Sequence, residues 1–399
     1  SETELVDIPY SIRAMEYFAN QAREINGMTI PIPGEEAFDW VTYEPYGVVG
    51  AITPWNFPLH LATRAVCPAM ATGNTVVAKA SSLSPVTPIL MGEILEEAGV
   101  PAGVVNILSG PGSTTGEALI SHPDVSMITF TGSLEIGRKI LEASSKSPII
   151  KKTILELGGK GPFIAEADCN MDDAVNQLIK GFCLMQGEVC CASTRLMLNE
   201  KIYDEFMEKL VNRVESLKIG DNLDPKTQLG AMISEGQLDL VDERVKNAVK
   251  EGAKLVTGGE RHTEQPCDKG FFYKPTILTD VKNTMTCARE EIFGPVLVVI
   301  KYKDIDEAIK MANDNQYALG ASVYSENIRT LFYASKKIDA GTVWLNTNVM
   351  SKIEAPYGGN KNSGLGREDG IIGLKEYTKV KNNVLNLSDK IDNFYNFKM

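Results

Sequence analysis

Residues 47–79 read GVVGAITPWNFPLHLATRAVCPAMATGNTVVAK, one complete strand–helix–strand unit. GVVGAIT and TVVAK are short apolar runs, and between them residues 61–70 read as a helix. Two buried strands joined through a helix pair in parallel, with the helix on one face of their sheet. The alternation continues outward through a helix over residues 84–98, the strand VVNIL, a helix over 113–120, the strand MITFT and a helix over 135–143. This repetition predicts an α/β fold on an open parallel sheet covered on both faces.

Beyond a strand at residues 153–157 the helices lengthen. Helices over 171–184, 201–217 and 235–252 alternate with RLMLN, AKLVTG and PVLVVIKY, which predicts a second α/β domain. The seam is expected at residues 157–161, where Gly158, Gly159 and Gly161 suggest a flexible connection. Upstream, residues 1–26 read as helix and 31–50 as an extended ribbon containing Phe38, Trp40, Val41 and Tyr43. The tail from Lys379 carries VLNL and ends in Phe394, Tyr395 and Phe397, an edge strand suited to pairing between subunits.

The 399 residues include 52 acidic and 40 basic side chains, a net charge of −12 that disfavours nucleic acid and anionic membrane as partners. An apolar content of 43% is ample for two cores. Seven cysteines without framework spacing point to reduced thiols and a cytoplasmic setting. Neither an apolar signal core in residues 1–26 nor a run of 18 apolar residues is present, so no export or membrane span is expected.

Four segments carry chemistry. LMQGEVCCASTRLML places Cys190 in a loop after a helix, beside Gly187, as a candidate nucleophile or a buried structural thiol. LELGGK sets Glu156 at a strand end, where it reads as a general base or as a solvated charge. The three histidines, His60, His122 and His262, stand in no triad-like setting, so a Cys/His hydrolase lacks its base. Asn56, between Trp55 and Phe57 where a strand meets a helix, can donate to an oxyanion or cap the helix. In FTGSLEIG, residues Gly132, Ser133 and Gly137 suit a phosphate at a helix N-terminus, or simply a tight strand–helix turn. No metal site is expected.

Together these segments resemble the aldehyde dehydrogenase superfamily, over the chain from Pro31 to Lys379. The carriers are PWNFP (54–58), TVVAK (75–79), FTGS with Gly137, LELGGK (155–160), QGEVCCASTR (186–195), EEIFGPV (290–296) and PYGGNKNSGLGRE (356–368). The resemblance implies oxidation of a small aldehyde to its acid. Cys190 would attack the carbonyl, Asn56 and the Cys190 N–H would hold the oxyanion, and Glu156 would activate water against the thioester. It assigns Lys79 and Ser82 to the adenosine ribose and Trp55, Gly132, Ser133 and Gly137 to the pyrophosphate side. Glu291 and Phe293 go to the nicotinamide ribose, and Leu157 is counted among the cofactor-binding residues. Phe57, Arg64 and the accessory Cys191 go to the substrate pocket.

Ser82 stands where many NAD-preferring relatives have a glutamate that would repel a 2′-phosphate, so NADP is expected ahead of NAD. Arg64 occupies a position often aromatic in the family and favours a hydroxyl or carboxylate on the aldehyde, or else ties helices together. Glyceraldehyde and lactaldehyde are expected first and semialdehydes next. The resemblance also implies a dimer or tetramer. It divides the chain into a helical remnant of the cofactor domain (1–29), an oligomerisation ribbon (30–47), a dinucleotide-binding domain (48–158) and a catalytic domain (159–358). A return to the cofactor domain (359–380) and an oligomerisation tail (381–399) follow. Two departures stand out: Gly161 follows LELGGK, and family members carry a piece ahead of the segment matched at Ser1, so the chain reads as N-terminally shortened with apolar surface exposed. The alternatives are a catalytically silent structural member of the same fold, or a cysteine-dependent esterase or acyl transferase.

Overall fold

A computed structural model describes residues 2–34, 36–389 and 394–395. Strand Val48–Ile52 lies inside a six-stranded sheet, parallel to Thr75–Ala80 on one side and to Val125–Thr131 on the other. Val105–Ser109 extends the first side and Lys152–Glu156 the second, both in parallel, and Gly364–Leu365 closes the far edge antiparallel. The chain therefore builds one half of the sheet outward from Val48–Ile52 and returns to build the other half. The loops leaving Val48–Ile52 and Val125–Thr131 diverge at their C-terminal ends, opening the crevice where open α/β sheets bind ligands.

Helix Pro58–Ala71 starts on a proline whose fixed φ suits a first turn. Its free N–H groups are met from a distant segment: the Asp7 carboxylate accepts from the N–H groups of Leu59 at 3.3 Å and His60 at 3.0 Å. Ala62, Ala65, Val66 and Ala69 then pack on Val49, Ala51, Val76 and Ala78, small residues that let helix and sheet approach closely.

The second sheet has seven strands, in the order Lys254–Thr257, Thr276–Thr279, Val296–Tyr302, Arg195–Asn199, Pro162–Ala165, Gly320–Tyr324 and Thr342–Leu345. All pairings are parallel except the first. Phe163, Leu196 and Leu297 bury one face under helix Met171–Cys183, and Leu278 and Val298 bury the other under Glu235–Lys250. Phe57, Leu61, Val189, Cys191, Leu319, Trp344 and Tyr357 form one apolar cluster where the two sheets meet.

One expectation changes, that of a flexible seam. The expected helix over 113–120 is present: a π-helical turn at Gly112–Gly116 runs directly into the short α-helix Glu117–Ser121. The ribbon strand Ala37–Pro45 is sandwiched between Met28–Ile30 and Thr378–Asn386; the tail strand pairs within the chain along nine residues on one side and is an edge strand of this sheet on the other. Residues 390–393 and 396–399, including Phe397, lie outside the described residues. The seam glycines confer close packing rather than flexibility. None of Gly158, Gly159 and Gly161 has a left-handed φ, and a Cβ on them would collide with the Glu291 carboxylate, the Cys190 carbonyl and the Ala192 carbonyl respectively.

Val86, Leu90 and Ile94 of helix Val86–Glu97 stand exposed. Among the described residues no helix is long and apolar enough to cross a membrane.

Candidate active site

Three strand ends of the first sheet and one loop of the second deliver side chains to one place. Trp55 and Asn56 follow Val48–Ile52, Gly132 and Ser133 follow Val125–Thr131, and Glu156 is the last residue of Lys152–Glu156. Cys190 lies in the loop between the turn Leu184–Gly187 and Arg195–Asn199. All six line a cavity of about 290 Å³, with Leu157, Gln237, Glu291 and Phe293 among the other walls. A larger hollow of about 600 Å³ around His262 and Cys267 contains none of these groups.

Asn56 is no helix cap: its Nδ2 donates to the Glu188 carbonyl at 2.9 Å, which orients the amide beside the cysteine loop. The half-buried Cys190 has its sulfur 3.8 Å from the Tyr357 hydroxyl. The adjoining Cys191 thiol and then burial push the Cys190 thiol well above its ordinary value, while Arg64 and Tyr357 oppose them.

Glu156 is 2% exposed, and neither carboxylate oxygen has a hydrogen-bond partner among the described residues. Burial first, and the neighbouring Glu368 next, raise its carboxyl well above the usual range, with Arg64 pulling the other way. A buried thiol and an unpartnered carboxyl facing one cavity can form and hydrolyse an acyl–sulfur bond.

Glu291 accepts from the Gly159 N–H at 2.9 Å, and burial pushes its carboxyl up to about 8. Trp55 meets the ring of Phe293 edge to face at 5.4 Å. Phe293 has φ of +59°, and its carbonyl accepts from Gln237 Nε2 at 2.8 Å, which holds this unusual backbone in place. Ser133 caps helix Leu134–Lys146, its hydroxyl accepting from the Ile136 N–H at 3.4 Å. Gly137 lets that helix lie against Leu157, where a Cβ would crowd the leucine at 2.8 Å.

Other expected residues stand apart from the cavity. Lys79 Nζ donates to the Ala80 carbonyl at 3.1 Å, and the Ser82 hydroxyl to the Gly110 carbonyl at 2.9 Å. Phe57 and Cys191 belong to the apolar cluster between the sheets. Arg64 forms a buried ion pair with Glu368 and lies 4.9 Å from the Tyr357 ring centroid.

Sequence reasoning passed over Gln237, Glu188, Tyr357 and Glu368. The last two lie inside PYGGNKNSGLGRE, where a tyrosine and a glutamate amid glycines were the available signal. Nothing local marks Gln237.

A family model described as the aldehyde dehydrogenase family matches residues 1–383. The chain belongs to the aldehyde dehydrogenase family. An aldehyde dehydrogenase of Enchytraeus buchholzi is 45% identical over 369 residues, covering 92% of this chain and 73% of the relative. The NAD+ complex of an aldehyde dehydrogenase from Bacillus cereus superposes with a TM-score of 0.94 at 37% identity, over 97% of this chain and 77% of that one. An E. coli NADP-dependent enzyme superposes at 0.92 with 38% identity, over 95% and 78%. The chain is thus shorter than the relatives it matches, and it is an NAD(P)-dependent oxidoreductase acting on aldehydes.

The cavity fits part of a nicotinamide dinucleotide. It lies at the switch point of the sheet; its Trp55, Leu157 and Phe293 walls could face a flat ring, and the N-terminus of helix Leu134–Lys146 could offer N–H groups to a pyrophosphate. Gly132 keeps this face open, since a Cβ there would press on the Phe130 ring. The buried Glu291 carboxyl, which accepts from the Gly159 N–H, could also accept from a ribose hydroxyl.

Proposed function

We propose that this aldehyde dehydrogenase oxidises a short hydroxyaldehyde such as glyceraldehyde or lactaldehyde, with semialdehydes next, through a thioester on Cys190 and with NADP ahead of NAD. The observation that carries the reading is the meeting of the Cys190 thiol, the unpartnered Glu156 carboxyl and the oriented Asn56 amide at one cavity.

In this reading Cys190 gives up its thiol proton to solvent and attacks as the thiolate: its sulfur bonds to the carbonyl carbon, and the π pair of the carbonyl moves onto the oxygen, which takes up negative charge. Asn56 Nδ2 and the Cys190 N–H donate to that oxygen. A nicotinamide dinucleotide bound in the crevice supplies the hydride acceptor. Trp55, Gly132, Ser133 and Gly137 would hold its pyrophosphate side, Lys79 and Ser82 its adenosine ribose, and Leu157, Glu291 and Phe293 its nicotinamide end. Glu156, once ionised, takes a proton from the water that attacks the thioester carbon; the carbon–sulfur bond breaks, the acid leaves and Cys190 is regenerated.

Arg64 and Tyr357 give the neighbourhood of the nucleophile a polar character that Phe57 and Leu61 alone would not. The Arg64 charge is already answered by Glu368, which favours a neutral hydroxyl over a second carboxylate. Ser82 leaves its position uncharged, which supports NADP. Seven unpaired cysteines support a cytoplasmic setting, and the outer edges of the three-stranded sheet support a homo-oligomer.

The test is reduction of NAD and of NADP, followed by the near-ultraviolet absorbance of the reduced ring, with hydroxyaldehydes, semialdehydes and long apolar aldehydes. Highest kcat/KM with a hydroxyaldehyde and NADP supports the reading. Preference for long apolar aldehydes overturns the substrate, and preference for NAD overturns the Ser82 argument.

A further inference from the structure

Tyr357 takes part in none of the steps above, yet its hydroxyl lies 3.8 Å from the Cys190 sulfur. The ring is buried among Phe57, Leu61, Cys191 and Trp344, so this hydroxyl is no solvated surface group. Glu368 fixes it twice over. Its backbone exchanges hydrogen bonds with that of Tyr357 at 2.7 and 2.8 Å, and its carboxylate holds Arg64, whose guanidinium carbon lies 4.9 Å from the centre of the Tyr357 ring. A cation so placed attracts the ring and strengthens the phenol as a donor.

We infer that Tyr357 is a positioning residue for the nucleophile: its hydroxyl donates to the Cys190 sulfur, most strongly to the thiolate, and holds that sulfur ready for attack. No bond is made or broken in this contact, and the phenol keeps its proton. Burial raises the Tyr357 hydroxyl well above its usual value, so it remains a donor at every pH where the enzyme is folded. The same hydroxyl and Arg64 counter the upward push that Cys191 and burial exert on the Cys190 thiol. The inference rests on Cys190 being the nucleophile.

The experiment is alkylation of Cys190 by iodoacetamide as a function of pH, in native protein and in Tyr357→Phe, with neither aldehyde nor cofactor present and with the modified peptide identified by mass. One lost hydrogen bond to a charged sulfur is expected to move the inflection up by about one pH unit and to slow alkylation about tenfold below it. The acid limb of kcat/KM is expected to move the same way. Superimposable inflections overturn the inference, and so does a slower rate with an unmoved inflection, which would report access rather than ionisation. If Tyr357→Phe fails to fold, a ring-fluorinated tyrosine at 357 serves instead. Its more acidic phenol donates more strongly and is expected to lower the inflection, and no shift or a rise overturns the inference. Alkylation needs no turnover, so a shifted inflection in a protein that reduces neither cofactor refutes the proposed reaction while leaving the role of Tyr357 standing.

Discussion

Arg64 and Glu368 bury opposite charges at 4% and 2% exposure; Asp369 and Glu156 also act on Arg64, whereas among the described residues Glu368 is ion-paired with no other cation. Thr129 donates to the remaining Glu368 oxygen at 3.1 Å, a neutral contact that cannot replace a cation. Arg64→Met keeps most of the side-chain volume and deletes a charge that Glu368, Asp369 and Glu156 all feel, so the cost is at least that of one uncompensated buried carboxylate, about 3–5 kcal/mol. For a lobe of this size that corresponds to a fall of roughly 6–20 °C in the thermal midpoint. The assay is a thermal melt at fixed scan rate on four proteins: native, Arg64→Met, Glu368→Gln, and both together. The double variant is expected to recover much of what Arg64→Met loses, because the stranded carboxylate is gone, while its activity stays low because Cys190 has lost the nearby cation. An Arg64→Met protein as stable as the native one, or a double variant no more stable than Arg64→Met, would refute the reasoning.

Cys190→Ala is expected to abolish aldehyde oxidation while still binding cofactor, as read by quenching of Trp55 fluorescence; residual turnover would reassign the nucleophile. Glu156→Gln should release about one equivalent of reduced cofactor per subunit in a burst and then nearly stop, since water attack on the thioester loses its base; normal steady-state turnover would remove Glu156 from that role. The same substitution has a stability signature. Burial lifts the folded-state pKa of Glu156 above its unfolded value, so its contribution is intact at acidic pH and lost as pH rises through the folded value. Glu156→Gln should therefore gain stability relative to the native protein as pH increases, and a pH-independent difference in melting would contradict the assignment. Ser82→Glu should raise the KM for NADP far more than that for NAD, and equal effects would sink the Ser82 argument.

Strand–helix alternation was legible because each element writes its own burial into a few adjacent residues, and Val48–Ile52, Thr75–Ala80 and Lys152–Glu156 fall close to where their apolar runs place them. Asn56, Glu156 and Cys190 were singled out because each lies at or beside an element end inside a motif that resembles the family, and the structure brings all three to one cavity. Periodicity says that a face is buried but not against what. Nothing around Arg64 names Glu368 as its counter-charge, three hundred residues on, and nothing around Tyr357 tells that it reaches Cys190. Gly158, Gly159 and Gly161 misled by identity. A glycine can signal a hinge or a close approach, and only the presence of Glu291 and of the Cys190 and Ala192 carbonyls distinguishes the two.

The ladder between Ala37–Pro45 and Thr378–Asn386 joins partners more than three hundred residues apart. On the ribosome strand Ala37–Pro45 emerges with Trp40 and Val41 beside backbone groups that the short Met28–Ile30 can pair on one side, and it must wait for more than three hundred further residues before its second neighbour arrives. Until then it is an open edge of the kind that captures other nascent chains. Closing the ladder is thus among the last events of folding and ties early-made residues to late-made ones. A molecule whose synthesis stops before residue 378 exposes a sticky strand, which marks it for chaperones or for aggregation.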